Sequence, residues 1–173
     1  MKSILVMIPG EAPSQGSMKA FPFKKKNGKM GVNQVHQDDK GIKEFRKNTM
    51  NALSDVYKDF YTDNIDVAFC VEVVFYIEKP ITVKRPFPTG RFDKDLDKRI
   101  RALLDALTKS DSYNPYGIFD DDSQVVKISA VKKYAVPCDT HKEYNESCEK
   151  CKNGLLRTDV KVSKIYDTKE MCW

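Results

Sequence analysis

The chain has 173 residues, 40% of them hydrophobic and 32% charged, with a formal net charge of +5. That length suits a single domain, 1–173, able to bury a real core. The positive excess is too modest for a protein that coats a polyanion by charge alone, and no apolar run is long enough to cross a bilayer. The apolar stretch after Lys2 is too short for a signal peptide and lacks a small-residue cleavage site. The expected compartment is therefore the cytoplasm, where the five cysteines are thiols or metal ligands rather than disulfides.

In chain order, Ile4 to Ile8 reads as a strand stopped by Pro9-Gly10. Glu11 to Asp39, with glycines, several lysines and few aliphatics, reads as an extended loop or loose hairpin. Gly41 to Phe60 has helical spacing, with Ile42, Phe45, Leu53, Val56 and Phe60 on one side and Asp39 as N-cap. Ile65, Val67, Phe69, Val71, Val73, Phe75 and Ile77 alternate without a break and predict a strand, which Pro80, Pro86 and Pro88 close. Asp97 to Thr108 predicts a second helix with Ile100, Leu103, Leu104 and Leu107 as its buried stripe and Asp97 as its N-cap. Val125 to Tyr134 and Thr158 to Tyr166 read as strands separated by an insert. The order β, loop, α, β, α, β, β is that of an α+β domain, a mixed or antiparallel sheet covered by two helices.

Two acidic clusters flank the second helix, Asp95-Leu-Asp97 and Asp120-Asp121-Asp122. Carboxylates about 4 Å apart at an effective dielectric near 20 repel by about 4 kcal/mol, so such a cluster implies a metal ion, a raised pKa or basic neighbours. Residues two apart share a face in extended chain and diverge by about 200° inside a helix. At a loop-to-helix junction Asp95 and Asp97 therefore converge on one ion. Asp121 and Asp122 precede a strand and point opposite ways, so at most one of them faces that ion directly. Hard oxygen donors select Mg²⁺ or Mn²⁺ over zinc. A divalent ion neutralises a phosphodiester and acidifies a bound water, and a nearby cation stabilises the pentacoordinate transition state. Asp97, Arg101 and Asp105 follow at four-residue steps and form a polar stripe opposite the leucines. Singly, these residues also suit an N-cap, an i,i+4 pair worth a few tenths of a kcal/mol and a solvated turn; their joint order and spacing favour the chemical reading.

The positive charge crowds into the first third, at Lys19, Lys24, Lys25, Lys26, Lys29, Lys40, Lys43, Arg46 and Lys47. A basic region beside an acidic one suits a protein that holds a phosphate backbone with the first and cations with the second. A solvated lysine-rich loop accounts equally well for Lys24 to Lys29 alone.

At Asp95-Leu-Asp97-Lys98-Arg-Ile-Arg101-Ala-Leu-Leu-Asp105-Ala-Leu107, followed by Asp121-Asp122-Ser-Gln124-Val-Val126, the chain resembles the RusA-type Holliday junction resolvases. These are Mg²⁺-dependent endonucleases of bacteria and phages. That family carries Asp-x-Asp-Asn-x-x-Lys-x-x-x-Asp-Ala-Leu and then Asp-Asp-x-Gln-Val-Val. The strand end Ile8-Pro9-Gly10 and Lys132 also fit the pattern, so the resemblance runs from the first strand to Tyr134. It implies that Asp95, Asp97 and Asp122 are catalytic metal ligands, with Asp121, Asp105 and Lys98 in support. Arg101 stands where the family has a catalytic lysine; being permanently protonated it cannot act as a base, but it can hold the scissile phosphate. Lys98 replaces the family's asparagine, and Lys94 replaces a proline often found before the first aspartate. The resemblance further implies a homodimer matched to a four-way junction, phosphate contacts by Lys19, Lys24, Lys25, Lys26 and Lys132, and a role in DNA recombination and repair in a bacterial or phage-infected cell. The competing functional readings are a non-catalytic DNA-binding module stabilised by zinc and a structure-selective nuclease of flaps or forks.

The insert 138–154 carries Cys138-x-x-His141 and Cys148-x-x-Cys151, a set that suits a closed, structural Zn²⁺ site. The insert is too short and polar to order itself without one. A flexible hairpin tip with unpaired thiols is the alternative.

Overall fold

In this computed structural model, residues 2–16, 18–36, 39–90, 95–135, 140, 147–149, 151 and 155–167 are described. The elements are β1 (Ser3–Pro9), β2 (Met18–Lys24), β3 (Met30–His36), α1 (Asp39–Leu53), α2 (Tyr57–Phe60), β4 (Ala68–Ile77), α3 (Leu96–Leu107), a 3₁₀ turn (Asp122–Gln124), β5 (Val125–Tyr134) and β6 (Arg157–Ile165). Four strands form one sheet in the order β1-β6-β4-β5, and β2 pairs with β3 as a separate two-stranded ribbon. β6 is antiparallel to both β1 and β4, whereas β5 is parallel to β4, so the sheet is mixed, as expected.

The alternation read from the sequence selects the covered face of β4. Val67, Phe69, Val71, Val73, Phe75 and Ile77 are all buried, and each such side chain contributes roughly 1.5–3 kcal/mol by leaving water. Strand register extends the row sideways: Val6 lies opposite Val160, and Val160 opposite Val73. Ile65 departs from the pattern and is 74% exposed. The Asn64 side chain accepts from the Asp66 N–H at 2.9 Å, an Asx turn that delays the strand to Ala68.

Among the described residues α1, α2 and α3 accompany the sheet, where two helices were expected. The helix expected over 41–60 is interrupted at residues 54–56, where the Ser54 hydroxyl donates to the Asn51 carbonyl at 2.8 Å. A serine that bonds its own preceding turn competes with helix continuation. Asp39, expected as an N-cap, is the first residue of α1. Ile42, Phe45 and Leu53 of α1 are buried, as is Phe60 of α2, whose ring meets Phe69 at 6.3 Å.

Parallel pairing of β4 and β5 requires the chain to return to the far end of the sheet between them, and α3 makes that return. Its C-terminal Leu107 carbonyl accepts from the Ile118 N–H at 2.9 Å, and the Lys109 N–H donates to the Phe119 carbonyl at 2.8 Å, next to the start of β5. The N-terminal end of α3 lies beside the loop 10–16, where the Gln15 N–H donates to the Lys98 carbonyl. The buried residues of α3 are Arg99, Ala102, Leu103, Ala106 and Leu107, while Ile100 and Leu104 of the expected stripe are only half-buried. The stripe is rotated because the loop 10–16 packs over the Arg99 side.

Candidate active site

α3 begins at Leu96, and its N-cap is Asp95, not Asp97, which falls in the first turn. Asp95 has extended backbone (φ −74°, ψ 141°) and its carboxylate makes no capping bond. It is drawn instead to the Lys98 ammonium, 2.8 Å away. That bond and charge, with a weaker contribution from Lys132, hold the Asp95 carboxyl below the usual carboxylate range, and Asp95 and Asp97 in turn raise Lys98. Asp95, Asp97 and Arg101 are exposed. Lys132 lies opposite Phe75 in the sheet register, on the covered face of the sheet near the start of α3. Asp95, Asp97, Lys98 and Lys132 thus occupy one end of the molecule.

The second acidic cluster is built around a buried glutamine. The Gln124 side-chain oxygen accepts from the N–H groups of Asp120 at 2.9 Å and Asp121 at 3.3 Å. Its amide nitrogen donates to the carbonyls of Asn64, Ile65 and Val67 at 3.3–3.4 Å. Asp121 caps the 3₁₀ turn by accepting from the Ser123 N–H at 2.8 Å, and Ser123 holds its carboxyl below the ordinary value. Asp120 accepts from the Tyr61 hydroxyl at 3.0 Å, whose oxygen accepts in turn from Lys109 at 2.9 Å. Asp122 is exposed and makes none of these bonds.

Within one chain the two clusters are not gathered. They lie at opposite ends of α3, whose twelve residues span about 18 Å. Among the described residues no three His, Cys, Asp or Glu side chains form a group that could hold a metal ion. As donors, the exposed carboxylates of Asp95, Asp97 and Asp122 have the hard-oxygen chemistry that suits Mg²⁺ or Mn²⁺.

Asp105 is engaged elsewhere. Its Oδ2 accepts from Gln15 at 2.5 Å and from Arg46 at 3.4 Å, and Arg46 also lies over the Tyr113 ring at 4.6 Å. Asp105 thus ties α3 to α1 and to the loop 10–16, and its ion pair is with Arg46 rather than Arg101. Arg99, which the motif spacing does not single out, is 1% exposed and donates to Glu11 at 2.6 Å and to the Ala12 carbonyl. A signal for it exists in the sequence: Arg99 precedes Leu103 and Ala106 at helical steps, so its charge sits inside the apolar stripe and must have a partner.

Of the extended loop or loose hairpin expected over 11–39, the structure shows the hairpin, the β2–β3 ribbon. Lys24, Lys25 and Lys26 are exposed around its turn, where Gly28 takes φ +80°, a conformation glycine adopts without steric cost. Phe21, Phe23, Met30 and Val32 on the ribbon are exposed; Lys19 lies in β2. Of the cysteine insert, Cys138 and His141 lie outside the described residues, while Cys148 is half-buried and Cys151 buried. No helix among the described residues is long and apolar enough to cross a membrane.

Compared with known protein families, the chain matches endodeoxyribonuclease RusA over residues 19–139, a span that includes α3, both acidic clusters and β5. No curated protein matches the chain.

Proposed function

The chain belongs to the RusA endodeoxyribonuclease family, and we propose that it is a Mg²⁺-dependent enzyme that resolves four-way DNA junctions by phosphodiester hydrolysis, in recombination and repair. The observation that carries this reading is the exposed Asp95-Leu-Asp97 at the start of α3, within the family match and followed at the family's spacing by Arg101 and then by Asp122. Asp95, Asp97 and Asp122 would hold Mg²⁺ or Mn²⁺. When bound, such an ion neutralises phosphate charge and acidifies water at the scissile bond.

The remaining roles belong to the chain's own cations. Arg101, one turn beyond Asp97, contacts the scissile phosphate and stabilises the charge that develops there. It moves no proton, because a guanidinium stays charged at any working pH. Lys98 and Lys132 flank Asp95. They offset its charge before DNA arrives and supply phosphate contacts afterwards. Lys19, Lys24, Lys25 and Lys26 on the ribbon contact the backbone, and exposed Phe21 and Phe23 beside them offer faces on which unpaired bases at a branch point can stack. The active form is a homodimer, which matches the symmetry of paired cuts.

Asp97→Asn tests this reading. The expected result is loss of Mg²⁺-dependent cleavage of a synthetic four-way junction, with binding retained or tightened because a negative charge near DNA is gone. Cleavage at the wild-type rate by this variant removes Asp97 from the site.

A further inference from the structure

We propose that the insert between β5 and β6 binds one structural Zn²⁺ through Cys138, His141, Cys148 and Cys151, a site apart from the carboxylates of the proposed reaction. The sequence supplies the ligand set. Three of the five cysteines and one of the two histidines fall between residues 138 and 151. They form two pairs, Cys138-x-x-His141 and Cys148-x-x-Cys151, each with a short gap that lets both side chains reach one ion. Thiolate and imidazole donors select Zn²⁺, whereas hard oxygens suit Mg²⁺. Three sulfurs and one nitrogen complete a tetrahedron and leave no position for water, so the ion braces the chain and does no chemistry.

The fold roots both legs of the insert at one end of the sheet. The outgoing leg leaves β5 where the Ala135 N–H donates to the Ile77 carbonyl at 2.8 Å, and the returning leg ends where the Leu156 carbonyl accepts from the Gly10 N–H at 2.8 Å. The roots flank the end of β4, where Tyr76 lies opposite Lys133 on one side and Arg157 on the other. Two strand spacings separate them, about 10 Å. Cys138 is three residues past Ala135, and Cys151 is five before Leu156. At about 3.3 Å for each extended residue, legs of these lengths span the gap with chain to spare. Cys138 and His141 lie outside the described residues; their sequence positions alone place them on the outgoing leg.

The returning leg has the form of a ligand pair. After a turn at Ser147, Glu149 and Cys151 have helical backbone, with Cys148 just before them. Residues three apart across a helical turn are neighbours, so Cys148 and Cys151 come to one side. Cys151 is only 5% exposed, although residues 138–154 contain no aliphatic side chain and a single aromatic one, Tyr144. A segment so poor in apolar groups cannot order itself by burial, and bound metal supplies the missing free energy. Lys142, Lys150 and Lys152 stand beside the ligands in the sequence and offset the negative excess of three thiolates around one divalent ion.

Zinc content and protease access test the site. The full chain is purified with a tag free of histidine and cysteine, and its zinc is measured by elemental mass spectrometry. One zinc per chain is expected in the wild type. It should be kept when Cys70→Ser is combined with Cys172→Ser, and lost both from Cys138→Ser with His141→Asn and from Cys148→Ser with Cys151→Ser. In the wild type, a strong zinc chelator should open trypsin cleavage at Lys142, Lys150 and Lys152, and added Zn²⁺ should close it again; this readout needs no substituted chain to fold. A wild type that neither carries zinc nor takes it up overturns the proposal. So does zinc retained by either ligand-pair variant, zinc lost with Cys70 and Cys172, or cleavage of the insert that chelation leaves unchanged. A chain that binds zinc in this way yet cuts no junction leaves the site standing and removes the nuclease reading instead.

Discussion

Glu11→Gln probes the contact that fixes the start of α3, and its cost can be worked from the geometry. Arg99 is 1% exposed and its ion pair with Glu11 is 2.6 Å long, while the Glu11 side chain is 27% exposed. The Arg99 guanidinium also donates to the Ala12 carbonyl, so one buried cation holds the loop 10–16 against the helix. Removing the charge of one partner in a buried pair costs about 3–5 kcal/mol, because the other charge stays behind unpaired. Glutamine keeps the shape and one acceptor oxygen, and Glu11 is partly solvated, so we expect about 2–3 kcal/mol. At roughly 2–4 °C per kcal/mol for a chain of this size, Tm falls by about 4–12 °C. Replacing both partners, Glu11→Gln with Arg99→Met, should cost less than the sum of the two single changes by at least about 1 kcal/mol. Urea denaturation of the four proteins closes the cycle. Additive single changes would show that the pair is not coupled, and a loss below about 1 kcal/mol for Glu11→Gln would show that the buried guanidinium is satisfied without it.

Replacing Lys24, Lys25 and Lys26 together by alanine should weaken junction binding without changing where the junction is cut. It should also flatten the slope of log K against log salt by up to about 0.9 for each phosphate left without its lysine. Binding measured across a salt series will show this; an unchanged slope places the DNA elsewhere. Lys164 is held below the ordinary lysine pKa by burial and by the charge of Lys2. The folded state therefore binds this proton less tightly than the unfolded chain, and its contribution to stability grows as pH rises from the folded pKa to the unfolded one near about 10.4. Lys164→Met should be at least as stable as the wild type at pH 7 and should lack that alkaline gain. A loss above about 1 kcal/mol at pH 7 would show that the cation over the Phe60 ring outweighs its desolvation.

Periodicity was legible wherever one face of an element meets the core. The alternation from Ile65 to Ile77 matches β4 apart from its first residues, and the span of β5 matches its alternation. Where a side chain bonds its own backbone, periodicity carried too little information. Ser54 divides one expected helix into two, and Asn64 takes Ile65 out of the strand. The motif Asp121-Asp122-Ser-Gln124-Val-Val126 shows a second limit. Its spacing marks a family, but spacing does not separate chemistry from support. Asp121 serves the cap and Gln124 the clamp, while Asp122 is exposed.

Distance along the chain says least about the acidic clusters, and topology supplies the reason. Asp97 and Asp122 are separated by one helix and one loop, which suggests neighbours. A parallel strand pair joined by a helix reverses that expectation. The residue entering the helix lies at one end of the sheet, and the residue entering the next strand lies at the other. Sequence alone could read the helix, yet the parallel pairing of β4 with β5 appears only in the sheet. Once that pairing is known, the carboxylates at the two ends of α3 are seen to be held apart by the length of that helix. Arg99, Gln15 and Asp105 bind α3 to the loop 10–16 and to α1, which fixes the helix that separates them.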